Sequence, residues 1–230
     1  VLILAGDTPM LTGQSLAALL DAHNAGKFAA SVLTAEHPEP TGYGRIIRDD
    51  KDEFLRIVEE RDASEDEKFI IEINSGVYAF DGEKLTNAIG KLTRSNAQDE
   101  LYLTDIIEIL KGEGASVAAI MINDFTEILG VNNRIQLAQS AALLRNRIND
   151  YWMREGVTII DPTTTWIDST ASLSNDVTLH PGSAILGTTS IATGAVIGPR
   201  TTLKDCIVKE GAAVLESIAT NTVIGEGATV

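Results

Sequence analysis

Cysteine is almost absent: the 230 residues contain one, Cys206. A single thiol excludes an internal disulfide framework and fits a reducing compartment, so a cytoplasmic location is expected. Histidine is scarce too, with only His23, His37 and His180, far apart. Zinc needs several His or Cys ligands, which this chain lacks. No apolar run approaches the roughly 18 residues of a membrane span, and no signal or transit-type segment is read before Val1. Basic residues are few, 18 against 33 acidic, for a formal charge of −15. Such an excess repels phosphate backbones and anionic lipid, so nucleic acid and membranes are excluded as partners. A nucleotide would also be repelled unless a cation or local Lys and Arg offset the field.

What is present is an ordinary globular composition, 44% hydrophobic and 22% charged. The opening stretch Val1-Leu2-Ile3-Leu4 reads as a fully buried strand, stopped by Ala5-Gly6-Asp7-Thr8-Pro9. In open α/β sheets ligands collect past the carboxyl ends of strands, where Asp7 lies. Gly6 beside it lets a ligand approach the backbone. A lone carboxylate there suits Mg²⁺, which takes few protein ligands and keeps places for water and phosphate oxygens. The alternative is that Asp7 only opens an Asx-type turn before Pro9.

Thr12 is a cap for a helix through Leu16, Leu19, Leu20 and His23 that ends at Ala25-Gly26-Lys27. Ala30 to Thr34 reads as a strand. Thr41-Gly42-Tyr43-Gly44-Arg45 pairs two glycines around an aromatic, and by itself this is a turn with a packed Tyr. Ile46 to Arg48 and Glu53 to Glu59 form a hairpin about Asp49-Asp50-Lys51-Asp52. Phe69 to Phe80 is a long strand interrupted at Asn74-Ser75-Gly76, the signature of a bulge or a close ligand contact. Helices through Leu85, Ile89 and Leu92 and from Thr104-Asp105 to Leu110 precede a strand over Ser116 to Ile122. Strands alternating with helices predict an α/β domain whose sheet is largely parallel, made mixed by the hairpin. Asn132 or Asn133 is the cap of a long helix, with Leu137, Ala141, Leu144, Ile148 and Tyr151 on one apolar stripe.

After Val157 the helical period gives way to a period of six. Ile167, Leu173, Leu179, Ile185, Ile191, Ile197 and Leu203 keep it without exception. The phase slips at Cys206-Ile207 and returns at Val208 and Val214, then Ile218, Ile224 and Val230, with Gly and small residues between. One apolar residue per hexad predicts a β-helix, each hexad forming one side of a coil and its aliphatic residue pointing inward.

An α/β domain with an Asp at a strand end, a connecting helix and a hexapeptide β-helix resembles the bifunctional bacterial family of N-acetylglucosamine-1-phosphate uridylyltransferase/glucosamine-1-phosphate acetyltransferase. The resemblance spans the chain. It rests on Gly6-Asp7-Thr8-Pro9, Thr41-Gly42-Tyr43-Gly44-Arg45, Ile57-Val58-Glu59, Glu72-Ile73-Asn74-Ser75-Gly76, Asn96-Ala97-Gln98-x-Glu100-Leu101-Tyr102-Leu103-Thr104-Asp105 and Gly130-Val131-Asn132-Asn133-Arg134. It implies an incomplete Rossmann-like nucleotidyltransferase domain over 1–134, a linker helix over 135–155 and the first coils of a left-handed parallel β-helix over 156–230. It also implies that Asp7 and Asn132 hold Mg²⁺, that Gly44, Glu59 and Asn74 hold N-acetylglucosamine, and that Gly6 makes a backbone contact. No residue acts as a covalent catalyst. The implied reaction joins UTP and N-acetylglucosamine 1-phosphate into UDP-N-acetylglucosamine and pyrophosphate. Acetyl transfer from acetyl-CoA to glucosamine 1-phosphate belongs to the β-helix of a homotrimer, at a site outside this chain.

The departures are specific. The family's Gly-rich opening loop, the Lys after it and its base-reading Gln-x-x-x-x-Gly-Thr stretch have no counterpart, Ala5 stands where Tyr is frequent, and Ser75 where Thr is. The chain reads as an internal fragment, inactive alone. Two other readings remain open: another sugar-1-phosphate nucleotidyltransferase with a β-helix, or a non-catalytic trimerisation module that binds a sugar nucleotide.

Overall fold

The computed structural model describes all residues, Val1–Val230, which separate into two compact units, Val1–Gln136 and Leu137–Val230. In the first, strands β2 (Ala30–Glu36), β3 (Arg45–Arg48), β4 (Phe54–Val58), β5 (Glu72–Phe80) and β6 (Val117–Met121) form one sheet in the order β4-β3-β5-β2-β6. Only β2 and β6 run parallel; the other pairs are antiparallel. The sheet is therefore mixed, as expected, but not largely parallel. The β3–β4 hairpin and the central β5, which runs antiparallel to β1 (Leu2–Ile3), β2 and β3, account for the antiparallel pairs. Helix α1 (Gly13–Gly26) is capped by the Thr12 hydroxyl, which accepts from Ser15 N. Leu19 of α1 packs with Leu33, Ala35, Ile73, Val77 and Ala79 in one core. Helices α2 (Gly82–Ile89) and α3 (Asp105–Gly112) pack Leu85, Ala88, Ile106, Ile107 and Leu110 against Val32, Ile46, Tyr78 and Phe80 in another.

Several local expectations are corrected. The opening strand β1 is only Leu2–Ile3 and is not buried: Leu4 is 46% exposed. It pairs antiparallel with β5 alone, and of its two residues Ile3 packs on the core while Leu2 is 36% exposed. Residues Glu67–Phe69 make a 3-10 turn, so β5 begins only at Glu72. Helix α2 stops at Ile89, before Gly90, although Leu92 still packs on the core. No helix is long and apolar enough to cross a membrane.

The second unit begins with most of helix α4 (Arg134–Arg154) and continues as a parallel β-solenoid of four coils. Its faces are three four-stranded sheets, stacking in register at Ile159, Leu179, Ile197 and Val214, at Ile167, Ile185, Leu203 and Ala219, and at Leu173, Ile191, Val208 and Ile224. At eight of the twelve inward positions the residue two before is buried and small: Thr165, Ala171, Ser183, Thr189, Ala195, Thr201, Cys206 and Ala212. The hydroxyls of Thr165, Ser183, Thr189 and Thr201 turn back onto the chain, as Thr189 Oγ1 does to Leu186 O at 2.7 Å. Shortened corners move the register, so Ala219 rather than Ile218 points inward and Ile218 is 83% exposed. Val230 is exposed as well. The stripe expected on α4 is likewise corrected. Leu137, Leu144 and Tyr151 are exposed, while Ile148 and Trp152 pack on the solenoid core. The buried positions of α4 are the polar Ser140 and Asn149.

Candidate functional site

The candidate residues lie in the first unit, on a strand end, a hairpin, a bulged strand and the loop before α4. The bulge comes first. Opposite the step from Val32 to Thr34 the register of β5 slips, and Gly76 there has φ +74°. That left-handed conformation favours glycine, and it turns Gly76 N–H back onto Asn74 Oδ1 at 3.1 Å. Tyr78 Oη donates to the same oxygen at 2.9 Å. Asn74 N donates to Gly44 O at 2.8 Å, which ties the glycine turn before β3 to the bulge.

Gly44 is the meeting point of three candidates. A Cβ built there would lie 3.4 Å from Glu59 Oε2 and 3.5 Å from Asn74 Cβ. Glu59 follows β4, and its Oε1 accepts from the buried Thr104 hydroxyl at 3.0 Å. Burial raises the Glu59 pKa above the ordinary carboxylate value; the Thr104 bond opposes this, and the charges of Asp105 and Asp62 add to it. The turn is held from behind by Arg45, almost fully buried. Its guanidinium pairs with Glu60 at 2.7 Å and donates to Tyr43 O, while Glu60 also accepts from Gly42 N at 3.1 Å.

Asp7 and Asn132 meet at a second glycine. Measured from the point a Cβ on Gly130 would occupy, Asp7 Oδ2 is 3.1 Å away and Asn132 Nδ2 is 3.5 Å away. Val131 N donates to Asp7 O at 2.9 Å, which fixes the loop to the strand end. Asn133, not Asn132, caps α4: its Oδ1 accepts from Ile135 N and Gln136 N, both at 2.9 Å. Capping by Asn133 leaves the Asn132 side chain at the Asp7 pair. Gly6 has open space where a side chain would stand, and Ala5 lies against Gly76 at 3.1 Å from its Cβ position. Tyr43 links the two groups, since Gly130 N donates to its hydroxyl at 3.4 Å.

Three contributors escape a reading of the sequence. Thr104 stands where a helix cap belongs yet makes no cap bond, binding Glu59 instead. Tyr78 has the pattern of a core aromatic. Tyr43 reads as turn packing. No cluster of three or more His, Cys, Asp or Glu side chains is arranged to hold a metal. The Asp7 and Asn132 pair is of another kind, one carboxylate and one amide.

A profile of the family described as Nucleotidyl transferase matches residues 1–168. The chain belongs to the nucleotidyl transferase family. Within that family it is 50% identical, over its whole length, to the Bifunctional protein GlmU of Rhodococcus opacus (strain B4), covering 47% of that protein. It is 47% identical over its whole length to the protein of that name from Streptomyces coelicolor, covering 48% of it. Over 98% of the chain it is 44% identical to the one from Halalkalibacterium halodurans, covering 50% of it. The chain thus spans about half the length of the curated relatives it matches.

Proposed function

We propose that this nucleotidyl transferase chain carries the sugar- and metal-holding half of a uridylyltransferase site, acting on UTP and N-acetylglucosamine 1-phosphate to give UDP-N-acetylglucosamine and pyrophosphate. The observation that carries the reading is convergence at two glycines: Gly44 with Glu59 and Asn74, Gly130 with Asp7 and Asn132. Glu59 Oε2 accepts from sugar hydroxyls and the Asn74 amide completes the contact, beside a Gly44 whose lack of a side chain lets Ile57, Glu59 and Asn74 close in on it. Asp7 and Asn132 bring a carboxylate and an amide to one point beside Gly130; Nδ2 is the Asn132 atom nearest that point, so the amide turns its oxygen inward to serve with Asp7 as an oxygen pair for Mg²⁺. Asp7 and Asn132 would hold the ion, which when bound would supply neutralisation of phosphate charge. The chain's own residues position and exclude; none forms a covalent intermediate. We assign the domains as 1–134, 135–155 and 156–230. The complete protein is a cytoplasmic homotrimer whose solenoid serves acetyl transfer from acetyl-CoA to glucosamine 1-phosphate, and the relatives named bifunctional support that second role.

The test is Asp7→Ala in the complete protein. Uridylyl transfer is expected to fall by about a hundredfold or more, with acetyl transfer unchanged. Equal loss of both activities would mean that Asp7 serves folding, and retention of uridylyl transfer would remove the reading.

A further inference from the structure

The two polar side chains at Gly44 are each fixed from behind, and the fixing determines what they present. Asn74 Oδ1 accepts from Gly76 N–H at 3.1 Å and from Tyr78 Oη at 2.9 Å. A backbone N–H cannot accept, so the amide atom facing it is the oxygen, and Nδ2 points away with two donors to offer. Glu59 is divided in the same manner. Its Oε1 is occupied by Thr104, and Oε2 faces the Gly44 turn. Asn74 therefore offers donors to a ligand and Glu59 Oε2 an acceptor. That polarity matches a sugar bearing an oxygen acceptor next to a hydroxyl, and it disfavours a ligand with the two reversed.

Tyr78 is built for this task. It is 2% exposed, and its ring stacks on Phe80 with centroids 5.6 Å apart, so the hydroxyl is delivered from a rigid core. Burial pushes the phenol pKa up, keeping it protonated and donating. We propose that Tyr78 is a positioning residue, whose hydroxyl locks the Asn74 amide in the orientation that donates to the sugar. The proposal rests on the sugar-holding reading of this cluster.

The experiment measures KM and kcat for N-acetylglucosamine 1-phosphate in the complete protein carrying Tyr78→Phe, Asn74→Asp or both. Asn74→Asp keeps acceptors for Tyr78 and Gly76 but has no donor to offer. Tyr78→Phe is expected to raise the sugar-phosphate KM about five- to thirtyfold, the loss of one oriented hydrogen bond. The KM for UTP and kcat stay within about twofold, and the double variant is no worse than Asn74→Asp alone. Tyr78→Met, which fills the space without a hydroxyl, repeats the measurement should the Phe variant fold poorly. A raised KM in Asn74→Asp with none in Tyr78→Phe and Tyr78→Met overturns the proposal alone, as does an additive double variant. Unchanged KM in both Asn74→Asp and Glu59→Gln overturns the proposal together with the sugar-holding reading.

Discussion

Glu59 illustrates how a buried carboxylate can work against the fold that holds it. Burial is the largest influence on its pKa and raises it from the ordinary 4.5; the Thr104 hydroxyl lowers it, and Asp105 and Asp62 raise it again. The folded protein therefore holds this proton more tightly than the unfolded chain does. Stability from this group is greatest when Glu59 is protonated and declines as pH rises from the unfolded value through the raised one. Glu59→Gln keeps an acceptor for Thr104 and removes the charge. We expect the variant to melt no lower than the parent at pH 8, and the difference to close as pH falls into the acid range. Thermal melts across that range check this; a variant clearly less stable at pH 8 would show that the carboxylate stabilises the fold. Its sugar affinity should fall regardless. At this scale the motifs single out Gly6, Asp7, Gly44, Glu59, Asn74 and Asn132 as candidates but do not say which of them meet; the structure brings Glu59 and Asn74 to Gly44 and Asp7 and Asn132 to Gly130. Asn132 and Asn133 are equivalent as caps in the sequence, and the hydrogen bonds of Asn133 separate them. Tyr78 and Thr104 stayed hidden because a buried Tyr and a Thr before a helix satisfy commoner patterns.

Elements matter here by what their ends bring together. The loop Gly130-Val131-Asn132 is pinned to the end of β1 through the Asp7 carbonyl and to the glycine turn through Tyr43. Gly130 itself is not in a left-handed conformation, so alanine is allowed by the backbone. Its methyl would meet the Asp7 carboxylate at 3.1 Å and the Asn132 amide at 3.5 Å. Gly130→Ala is therefore expected to preserve the melting temperature while lowering Mg²⁺ affinity by about ten- to a hundredfold, read by calorimetric titration of the complete protein. Unchanged Mg²⁺ affinity would mean that no ion lies between Asp7 and Asn132. Hairpin and bulge were legible because turn residues and an interior Gly announce them locally. Burial of β1 was not, since four apolar residues do not reveal how many neighbours a strand will have. The parallel content of the sheet failed for the same reason: pairing direction is a long-range property that strand and helix alternation only suggests.

On the scale of the whole molecule, each unit has its own core, sheet-and-helix in one and a single aliphatic column in the other. The solenoid period was legible over seven hexads because every coil repeats one geometry, and it failed where corners lose a residue and Ala219 replaces Ile218 inside. Helix α4 failed more instructively. Its apolar stripe predicts burial of Leu137, Leu144 and Tyr151, but the residue seated against the first coil is Asn149, with no exposed surface. Asn149 Nδ2 donates to Pro162 O at 2.9 Å and Thr165 O at 3.1 Å, two carbonyls at the bend that opens the first coil. An amide there outranks an aliphatic because buried carbonyls left unpaired cost more than a lost apolar contact returns. Asn149→Ala removes both bonds and is expected to destabilise the second unit by about 2–4 kcal/mol. In calorimetry the transition of that unit should fall by several degrees, while the transition of the first unit and the KM for the sugar phosphate stay where they were. A loss confined to the second unit would establish Asn149 as the clamp between helix and coil; an unchanged transition would return that role to Ile148 and Trp152.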